Sequence, residues 1–292
     1  MTRVGFIGLG HMGLPMASRI AASEFPLIVW NRTPGRAAPL ASAGPVLADS
    51  PRALAAACDI VITMLSDAGA AQAVLCGPDG VLSAARPGTV AVDMSTIGPD
   101  AAREIAARAA SHGVAFLDAP VSGSVALAEQ GALTVMAGGP REAFDRARPV
   151  LATLSKAQLY LGPQGAGAAM KLAVNILIAA TNQAIAEALA LAERSGINPA
   201  TAYDTFASSA VASPFIGYKR DAFLSPGTSP VSFTTALMSK DLALALAALG
   251  AAPHPLTSAA KDFLDAACAA GYGDADFASV AQLIRSQAAI PS

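Results

Sequence analysis

The sequence predicts an α/β domain, with a mostly parallel sheet and helices on both of its faces, followed by an all-α domain. Up to residue 162, short β-like runs alternate with helical stretches, which is the pattern of a parallel sheet wrapped by helices. After a turn rich in Gly and Pro at 162–165 we find no further β-like run, and Pro residues separate helical segments. We therefore predict domains at 1–162 and 163–292, the second entered through a long helix over about 166–195.

Seven short runs rich in apolar and β-branched residues are the predicted strands. They are Val4–Ile7, Leu27–Trp30, Ile60–Met64, Val90–Val92, Ala115–Leu117, Thr134–Ala137 and Gln158–Leu161. Open parallel sheets bind ligands at the carboxyl ends of their strands, so the residues that follow each run are the candidate site residues.

The composition favours an oligomer and argues against nucleic acid or membrane partners. Hydrophobic residues make up 53% of the 292 residues and charged residues 14%, which is more apolar material than the surface of a monomer usually tolerates. The net charge of −2 gives no basic surface for nucleic acid or acidic lipid. The apolar stretch 172–192 has the length of a membrane span, but Asn175 and Asn182 interrupt it, so a buried helix is the better interpretation.

The cysteines and histidines indicate neither a disulfide framework nor a metal site. Cys58, Cys76 and Cys268 are scattered and form no CxxC motif, which fits reduced thiols in a cytosol. The three histidines lack the spacing of metal ligands. Because the first predicted strand begins the sequence without an export-type leader, we expect a cytoplasmic protein.

The residues that follow the first strand form a glycine-rich turn of the dinucleotide-binding type. Gly8 permits a tight turn, Gly10 leaves room for a pyrophosphate, and Gly13 lets the next helix pack close to the strand. The N–H groups at the start of that helix attract the anion. A strand, this turn, a helical pattern and a second strand together predict a Rossmann-type site. The predicted cofactor residues here are Gly8, Leu9, Gly10, His11, Met12 and Gly13.

The end of the second strand indicates which dinucleotide binds. An NAD site places Asp or Glu there to bind the ribose hydroxyls, and that carboxylate would repel the extra phosphate of NADP. This chain has Asn31, Arg32 and Thr33 instead, which supply neutral donors, a guanidinium and a hydroxyl. We predict NADP as the preferred cofactor over NAD; the alternative is that Arg32 is only a solvated surface charge.

Two further strand ends carry candidate cofactor contacts. Met64, Leu65 and Ser66 end the third predicted strand, and Ser95 and Thr96 follow the fourth. We expect these residues beside the nicotinamide half of the cofactor, where backbone amides and hydroxyls orient the ring. The alternative is that the two hydroxyls cap the helix that follows.

A serine-rich turn after the fifth strand is a candidate substrate loop. Ser122, Gly123 and Ser124 offer hydroxyl and backbone N–H donors, which suit a carboxylate or another anionic group. The alternative is a plain β-turn, because Ser and Gly are common turn residues.

Lys171 is the sharpest candidate for catalysis. It lies in an otherwise apolar predicted helix, where an unpaired ammonium is costly to bury. Asn175 follows one helical turn later on the same face, so both side chains can meet one small molecule. Hydride transfer to a carbonyl leaves an alkoxide that needs a proton, which a lysine can supply. The alternative is a lysine that extends from the helix end to solvent.

A second polar pair, Lys240 and Asp241, stands before the apolar helix predicted over 242–249. We expect Lys240 to reach the cofactor or the substrate, with Asp241 capping the helix or holding the lysine. A surface ion pair explains the same residues.

Together these motifs resemble the β-hydroxyacid dehydrogenase family, which includes 3-hydroxyisobutyrate dehydrogenases and the tartronate, glyoxylate and succinic semialdehyde reductases. The resemblance covers nearly the whole chain. It rests on Phe6–Gly13 as the cofactor loop, Asp118–Gly123 as the substrate loop, Gly165–Asn175 as the catalytic helix, and the pair Lys240-Asp241. The family implies that the long helix joins the domains and that homodimers or homotetramers form through the helical domain.

The resemblance implies a role for each matching residue. Lys171 matches the proton donor or acceptor of the family, and Asn175 matches the asparagine that helps to place the substrate. Ser122 and Gly123 match the loop that holds the substrate carboxylate. Phe233 matches an aromatic residue near the nicotinamide end of the cleft.

Thr96 and Lys240 match cofactor contacts of the family, and two other residues depart from its pattern. Ser66 stands where many members have proline, and Ser124 replaces the second glycine usual after Ser122-Gly123. The second departure adds a hydroxyl to the substrate loop, so we do not transfer a particular substrate.

These observations predict an NADP-dependent oxidoreductase that transfers a hydride between the nicotinamide and a small β-hydroxy acid or its semialdehyde, with Lys171 as general acid and base. Two alternatives keep the fold. Imine reductases are similar over the whole length but usually carry another residue at the position of Lys171. The other alternative is a catalytically silent NADP-binding module, as among relatives that have lost the lysine.

Overall fold

Six parallel strands form the main sheet. The computed structural model describes residues 1–287. The strands are β1 Val4–Ile7, β2 Leu27–Trp30, β3 Val46–Leu47, β4 Ile60–Thr63, β5 Val90–Asp93 and β6 Ala115–Asp118. Their spatial order is β3-β2-β1-β4-β5-β6, and every neighbouring pair is parallel. The order reverses between β1 and β4, which is where open parallel sheets form their ligand crevice.

Helices cover both faces of this sheet, as the sequence predicts. They are α1 Gly13–Ala21, α2 Pro51–Ala57, α3 Ala68–Cys76, α4 Pro99–Ser111, α5 Val125–Glu129 and α6 Arg141–Ala152. Successive strand residues point to opposite faces. Phe6 accordingly packs in one core with α1 and α6, and Ile7 packs in a second core with α2, α3 and α4.

A second, three-stranded sheet follows the first. It consists of β7 Val121–Ser122, β8 Leu133–Ala137 and β9 Ser155–Tyr160. β8 pairs with β9 in parallel, and β7 runs antiparallel to β8. The last two predicted strands therefore belong to a separate sheet. β3 and β7 are two residues long and too short to give a periodic pattern, so the sequence does not predict them.

Helices are the main elements from residue 166 to residue 287. They are α7 Ala166–Arg194, α8 Pro199–Ser208, α9 Pro214–Leu224, α10 Thr235–Leu249, α11 Pro255–Ala267 and α12 Val280–Gln287. Asn198, Ser213 and Thr234 cap α8, α9 and α10 through side-chain oxygens that accept backbone N–H groups. Between β9 and residue 287 the structure has no further strand, which confirms the predicted all-helical region.

Backbone contacts divide the chain into two compact units, one ending at Lys171 and the other beginning at Leu172. The division falls inside α7, whose bounds closely match the predicted helix over 166–195.

α7 is long and apolar enough to cross a membrane by length and composition alone, with a hydropathy of 1.4 in its most apolar window. In the helical unit, however, Ala179, Ile185 and Leu189 from α7 are buried in one core with Tyr203 and Phe223. α7 is therefore a core helix of that unit.

Candidate active site

The glycine turn between β1 and α1 has the geometry that its sequence predicts. Gly8 has φ +99°, and a Cβ there would collide with the carbonyl oxygen of Met64. A Cβ at Gly13 would collide with the carbonyl oxygen of Gly8, so α1 can begin this close to β1 only with glycine. At Gly10 no described residue apart from its two chain neighbours lies within 4 Å of the Cβ position. Gly8 and Gly13 therefore serve the backbone, and Gly10 leaves space for a ligand.

Asn31 ties this turn to the end of β2. Its Oδ1 accepts from the N–H of Leu9 at 2.8 Å, and its Nδ2 donates to the carbonyl oxygen of Thr33 at 2.9 Å. Both ends of the amide thus have protein partners, so Asn31 shapes the loop in addition to any contact with a ligand. Arg32 and Thr33 are exposed beside it.

Arg36 is an exposed cation that sequence reasoning missed at this tip. It lies four residues after Arg32, in the 3₁₀ helix Pro34–Ala43, and its N–H donates to the carbonyl oxygen of Thr33. The short distance in sequence from Arg32 is the only feature that could have drawn attention to it.

Ser95 does not stand at the N-cap of α4, which is Gly98. The hydroxyl of Ser95 donates to Asp93 Oδ1 at 2.7 Å and accepts from the N–H of Leu65 at 2.8 Å. Ser95 therefore joins the ends of β4 and β5, and Thr96 beside it is half-buried.

Asp93 is the buried centre of this network. The hydroxyl of Thr63, at the end of β4, also donates to Asp93 Oδ1, at 2.6 Å. Burial raises the pKa of Asp93 to about 6, although the hydrogen bonds from Thr63 and Ser95 lower it. The carboxylate of Asp118, directly opposite on β6, adds to the rise of this pKa.

A helix cap fixes the segment that follows β4. The hydroxyl of Ser66 donates to Asp67 Oδ2 at 2.6 Å, and Asp67 Oδ1 caps α3 by accepting from Ala70 N–H at 2.8 Å. Met64 and Leu65 are half-buried just before it, next to the glycine turn.

Asp118 holds the first turn of α7. Its carboxylate accepts from the N–H groups of Gly165 and Ala168, each at 2.8 Å. Gly165 has φ +87°, and a Cβ at Gly167 would collide with the carbonyl oxygens of Asp118 and Met136. Burial raises the pKa of Asp118 and the backbone donors lower it. The glycines of this motif therefore allow α7 to start against the ends of β6 and β8.

The serine turn begins at β7. Gly123 has φ +146°, a conformation that L side chains rarely adopt. Ser124 caps the short helix α5, because its Oγ accepts from the N–H of Leu127 at 3.4 Å. The extra hydroxyl at this position thus has a local structural partner, while Ser122 is half-buried at the end of β7.

Lys171 and Asn175 lie one turn apart on α7. Lys171 is half-buried and Asn175 is only 2% exposed. Asn175 Nδ2 donates to Asp241 Oδ2 at 2.6 Å.

Asp241 accepts the hydrogen bond from Asn175, and two of the expectations from the sequence about Asp241 are wrong. α10 begins at Thr235, not after Asp241, so the carboxylate does not cap the helix. Asp241 is 1% exposed, which also excludes a surface ion pair. Lys240 Nζ lies 3.0 Å from Asp241 Oδ1, so the interpretation that Asp241 holds this lysine is the one that the geometry supports.

Phe233 precedes α10 and packs against Phe277. Their ring centroids are 6.0 Å apart with an angle of 89° between the planes, an edge-to-face contact. The N–H of Phe277 also donates to the carbonyl oxygen of Phe233 at 3.1 Å.

Comparison with known proteins assigns both parts of the chain. Residues 3–162 match the family described as the NAD binding domain of 6-phosphogluconate dehydrogenase. Residues 165–284 match the family described as NAD-binding of NADP-dependent 3-hydroxyisobutyrate dehydrogenase. The chain belongs to the 3-hydroxyisobutyrate dehydrogenase, or β-hydroxyacid dehydrogenase, family.

Relatives within the β-hydroxyacid dehydrogenase family match over nearly the full length. The 2-(hydroxymethyl)glutarate dehydrogenase of Eubacterium barkeri is 36% identical, over 95% of this chain and 93% of its own. Glyoxylate/succinic semialdehyde reductase 2 of Arabidopsis thaliana is 32% identical, over 97% of this chain and 79% of its own. The structure of Mycobacterium tuberculosis 3-hydroxyisobutyrate dehydrogenase with L-serine has 37% identity and a TM-score of 0.86, over 98% of this chain and 99% of that one.

Membership in the β-hydroxyacid dehydrogenase family establishes an NAD(P)-dependent enzyme class for this chain. Among residues 1–287 no group of three or more His, Cys, Asp and Glu side chains could hold a metal ion. The glycine turn fits a dinucleotide, since Gly10 leaves open space where a side chain would stand.

Sequence reasoning gave no supporting role to Asp93 or Asp118, although it named Asp241 as a partner of Lys240. Asp93, Asp118 and Asp241 each accept hydrogen bonds that fix a predicted site segment. Asp93 and Asp118 each end a buried strand, and this position is the feature that could have pointed to them. The buried pair Lys219–Asp276 was also missed, because 57 residues separate its members.

Proposed function

We propose that this protein is an NADP-dependent oxidoreductase that acts on a small β-hydroxy acid or its semialdehyde, with Lys171 as general acid and base. The observation that carries the proposal is Lys171 standing one turn before a buried Asn175 on α7, in a chain of the β-hydroxyacid dehydrogenase family. Asn175 is itself held by a carboxylate, so its amide has a defined orientation.

Lys171 moves the proton of the reaction. The hydride that reduces the carbonyl carbon of the substrate would come from NADPH when this cofactor is bound. The ammonium of Lys171 donates a proton to the carbonyl oxygen, which would otherwise be left as an alkoxide. In the oxidative direction the neutral amine of Lys171 accepts the hydroxyl proton. Asn175 places the substrate oxygen by hydrogen bonding.

The first unit holds the cofactor. The open space at Gly10 and the N–H groups at the start of α1 receive the pyrophosphate. Arg32 and Thr33 receive the 2′-phosphate of NADP, since β2 ends in Asn31 and not in a carboxylate that would repel it. Thr96 and Lys240 complete the cofactor contacts. NAD is the weaker alternative cofactor.

The substrate end is built for a carboxylate. Ser122 and Gly123 offer a hydroxyl and backbone N–H groups to it, and Phe233 limits the size of the remaining group. The related enzymes are named for 2-(hydroxymethyl)glutarate and for glyoxylate and succinic semialdehyde, which are all small carboxylic acids. We therefore place the substrate in this class. The protein acts as a cytoplasmic homodimer or homotetramer that assembles through its helical region.

Oxidation of NADPH by the purified protein tests this function. The substrates are glyoxylate and the succinic, tartronate and methylmalonate semialdehydes, with one cyclic imine as a control for imine reduction. We expect turnover of at least one semialdehyde or keto acid by the wild type and a loss of about 10²–10⁴-fold in kcat for Lys171→Ala. Binding of NADPH to this variant should stay within about twofold of the wild type, because the glycine turn holds the cofactor.

Lys156→Ala is the matched control, since Lys156 is an exposed lysine on β9 in the same unit. It should keep wild-type kcat. Turnover of the imine alone would assign an imine reductase, and NADPH binding without any turnover would favour a binding module. Full activity of Lys171→Ala would remove the lysine from the mechanism.

A further inference from the structure

A lysine that the proposed reaction does not use is buried in the helical unit. Lys219, on α9, is 1% exposed, and its Nζ lies 2.6 and 2.8 Å from the two carboxylate oxygens of Asp276. It also donates to the hydroxyl of Ser232 at 2.7 Å. All three hydrogens of the ammonium therefore have acceptors, which is what a buried charge of this kind requires.

Asp276 uses the same carboxylate to hold two other segments. Its Oδ2 accepts from the N–H of Ser232 at 3.0 Å and from the hydroxyl of Ser232 at 2.9 Å. Its Oδ1 accepts from the N–H of Ala278 at 3.0 Å and so caps the 3₁₀ turn Phe277–Ser279. One carboxylate thus joins α9, the segment before α10 and the segment before α12.

The residues that follow Ser232 and Asp276 are the two rings that pack together, Phe233 and Phe277. The N–H of Phe277 donates to the carbonyl oxygen of Phe233, and their rings meet edge to face. Lys219 Nζ lies 4.1 Å from the centroid of the Phe277 ring, a cation–π contact. The ion pair therefore fixes the backbone directly before Phe233 and the ring on which Phe233 rests.

The chemistry of the Lys219–Asp276 pair indicates that it positions the segment around Ser232. Burial lowers the pKa of Lys219, and the charge of Asp276 opposes that change. Buried ion pairs are weak devices for stability, since apolar residues of similar volume often do as well or better. Apolar side chains, however, would leave the N–H and hydroxyl of Ser232 without their acceptor. The pair supplies the hydrogen-bonding partners of Ser232, which apolar packing does not.

We propose that the Lys219–Asp276 pair is a positioning device that fixes Phe233 and thereby sets the size of substrate that the enzyme accepts. The proposal rests on the proposed function, in which Phe233 limits the substrate. Lys219 and Asp276 act through Phe233 and touch neither substrate nor cofactor in this role.

A kinetic cycle tests the coupling between the pair and Phe233. The double variant Lys219→Met/Asp276→Asn removes both buried charges together, so that no unpaired charge is left, and Asn keeps an acceptor for Ala278. We expect its KM to rise by about tenfold for the best substrate, with kcat and NADPH affinity within about twofold, because a shifted ring loses a contact that binds substrate and transition state equally. Phe233→Ala should raise KM similarly, and the triple variant should show no further rise.

Glu193→Gln/Arg285→Met is the matched control. Arg285 Nε lies 3.0 Å from Glu193, whose side chain is 8% exposed, so this is a second largely buried ion pair of the helical unit. Its loss should lower the melting temperature without raising KM. A similar rise of KM in this control would show a merely structural role and overturn the proposal. The proposal would also be overturned if the rise of KM in the triple variant were the product of the rises in the double variant and in Phe233→Ala.

Amide hydrogen exchange separates this proposal from the proposed function. In Lys219→Met/Asp276→Asn, exchange should speed up at Ser232 and Phe277 more than at α11 amides, whereas the Glu193/Arg285 control should leave these two amides protected. Unchanged exchange at Ser232 and Phe277 would overturn the positioning role. If the wild type turned over no substrate of the panel, the substrate-size role would fall with the proposed function, while faster exchange would still support the positioning of Phe233.

Discussion

Asn175 and Asp241 form a buried hydrogen bond of 2.6 Å between α7 and α10. A carboxylate only accepts hydrogen bonds, so it selects the orientation in which the amide nitrogen of Asn175 faces it. The amide oxygen is then directed away from Asp241. The same carboxylate binds Lys240. One buried acid therefore orients two residues that the sequence assigns to substrate and cofactor.

Replacement of that acid tests this arrangement. Asp241→Asn keeps the shape but offers one acceptor oxygen instead of two, so Asn175 and Lys240 lose a shared partner. We expect kcat to fall by about 10²-fold, because misplacement of a positioning group by about 1 Å has an effect of this size. The measurement is steady-state kinetics with the best substrate, and circular dichroism checks the fold. Asp265→Asn is the matched control, because Asp265 is an exposed carboxylate that pairs with Lys261. It should keep wild-type kcat. An active Asp241→Asn enzyme would show that this carboxylate does not orient the site.

Two glycines of the same turn should respond differently to alanine. At Gly13 a Cβ collides with the backbone of Gly8, so Gly13→Ala should lower the free energy of unfolding by roughly 1–3 kcal/mol. At Gly10 a Cβ meets no described residue apart from its two chain neighbours within 4 Å, so Gly10→Ala should fold normally. Its Cβ would instead meet the pyrophosphate and weaken NADPH binding by about tenfold or more. Urea unfolding and NADPH fluorescence titration measure the two effects. Unaltered NADPH affinity in Gly10→Ala would place the pyrophosphate elsewhere.

Arg32 should discriminate between the two dinucleotides. It is exposed at the end of β2, where the 2′-phosphate of NADP is expected. Loss of one charged hydrogen bond corresponds to roughly 10–100-fold in affinity, so Arg32→Ala should weaken NADPH by this factor and NADH by much less. Titration of both cofactors provides the measurement, with Arg52→Ala, another exposed arginine of the first unit, as the control. If Arg32→Ala weakened the binding of NADPH and NADH equally, Arg32 would not recognise the 2′-phosphate. If only Arg36→Ala weakened NADPH selectively, Arg36 would be the residue that recognises it.

The sequence predicts most accurately what depends on neighbouring residues. The bounds of β1 and β2, and the steric roles of Gly8 and Gly13, follow from short local patterns and agree with the structure. The start of α10 was predicted wrongly because the polar residues at 239–241 interrupt its apolar pattern, so the pair Lys240-Asp241 looked like the beginning of a helix that Thr234 in fact caps.

Pairs that are distant in sequence could not be predicted from a single chain. Asn175 meets Asp241 across 66 residues, and Lys219 meets Asp276 across 57. Neither pair leaves a periodic pattern, since the members of each pair lie in different segments of the sequence. The named residues of the site, and the pairing of Asp241 with its neighbour Lys240, were therefore accessible to sequence reasoning, while the contact of Asp241 with Asn175 became visible only in the fold.

The buried carboxyl of Asp93 should make stability depend on pH. Burial raises its pKa from 3.8 to about 6 in the folded protein, so the folded state keeps this proton to a higher pH than the unfolded state does. Between about pH 4 and pH 6 the unfolded chain has lost the proton that the folded protein still holds. Stability therefore falls as pH rises through this range, and the two-unit shift corresponds to about 3 kcal/mol at pH 7 relative to pH below 4.

Asp93→Asn isolates this contribution, because an amide does not titrate and its oxygen can still accept from Thr63 and Ser95. We expect the free energy of unfolding of the wild type, minus that of the variant, to decrease by about 2 kcal/mol from pH 4 to pH 7 in urea titrations, since part of the unfolded chains have already lost the proton at pH 4. Asp204→Asn is the control, since the hydrogen bond from exposed Arg220 lowers the pKa of Asp204 and places its titration below this range. Its difference from the wild type should stay constant from pH 4 to pH 7. A constant difference for Asp93→Asn as well would mean that the pKa of Asp93 is not shifted in the folded protein. The hydrogen bonds from Thr63 and Ser95 would then lower this pKa by as much as burial raises it.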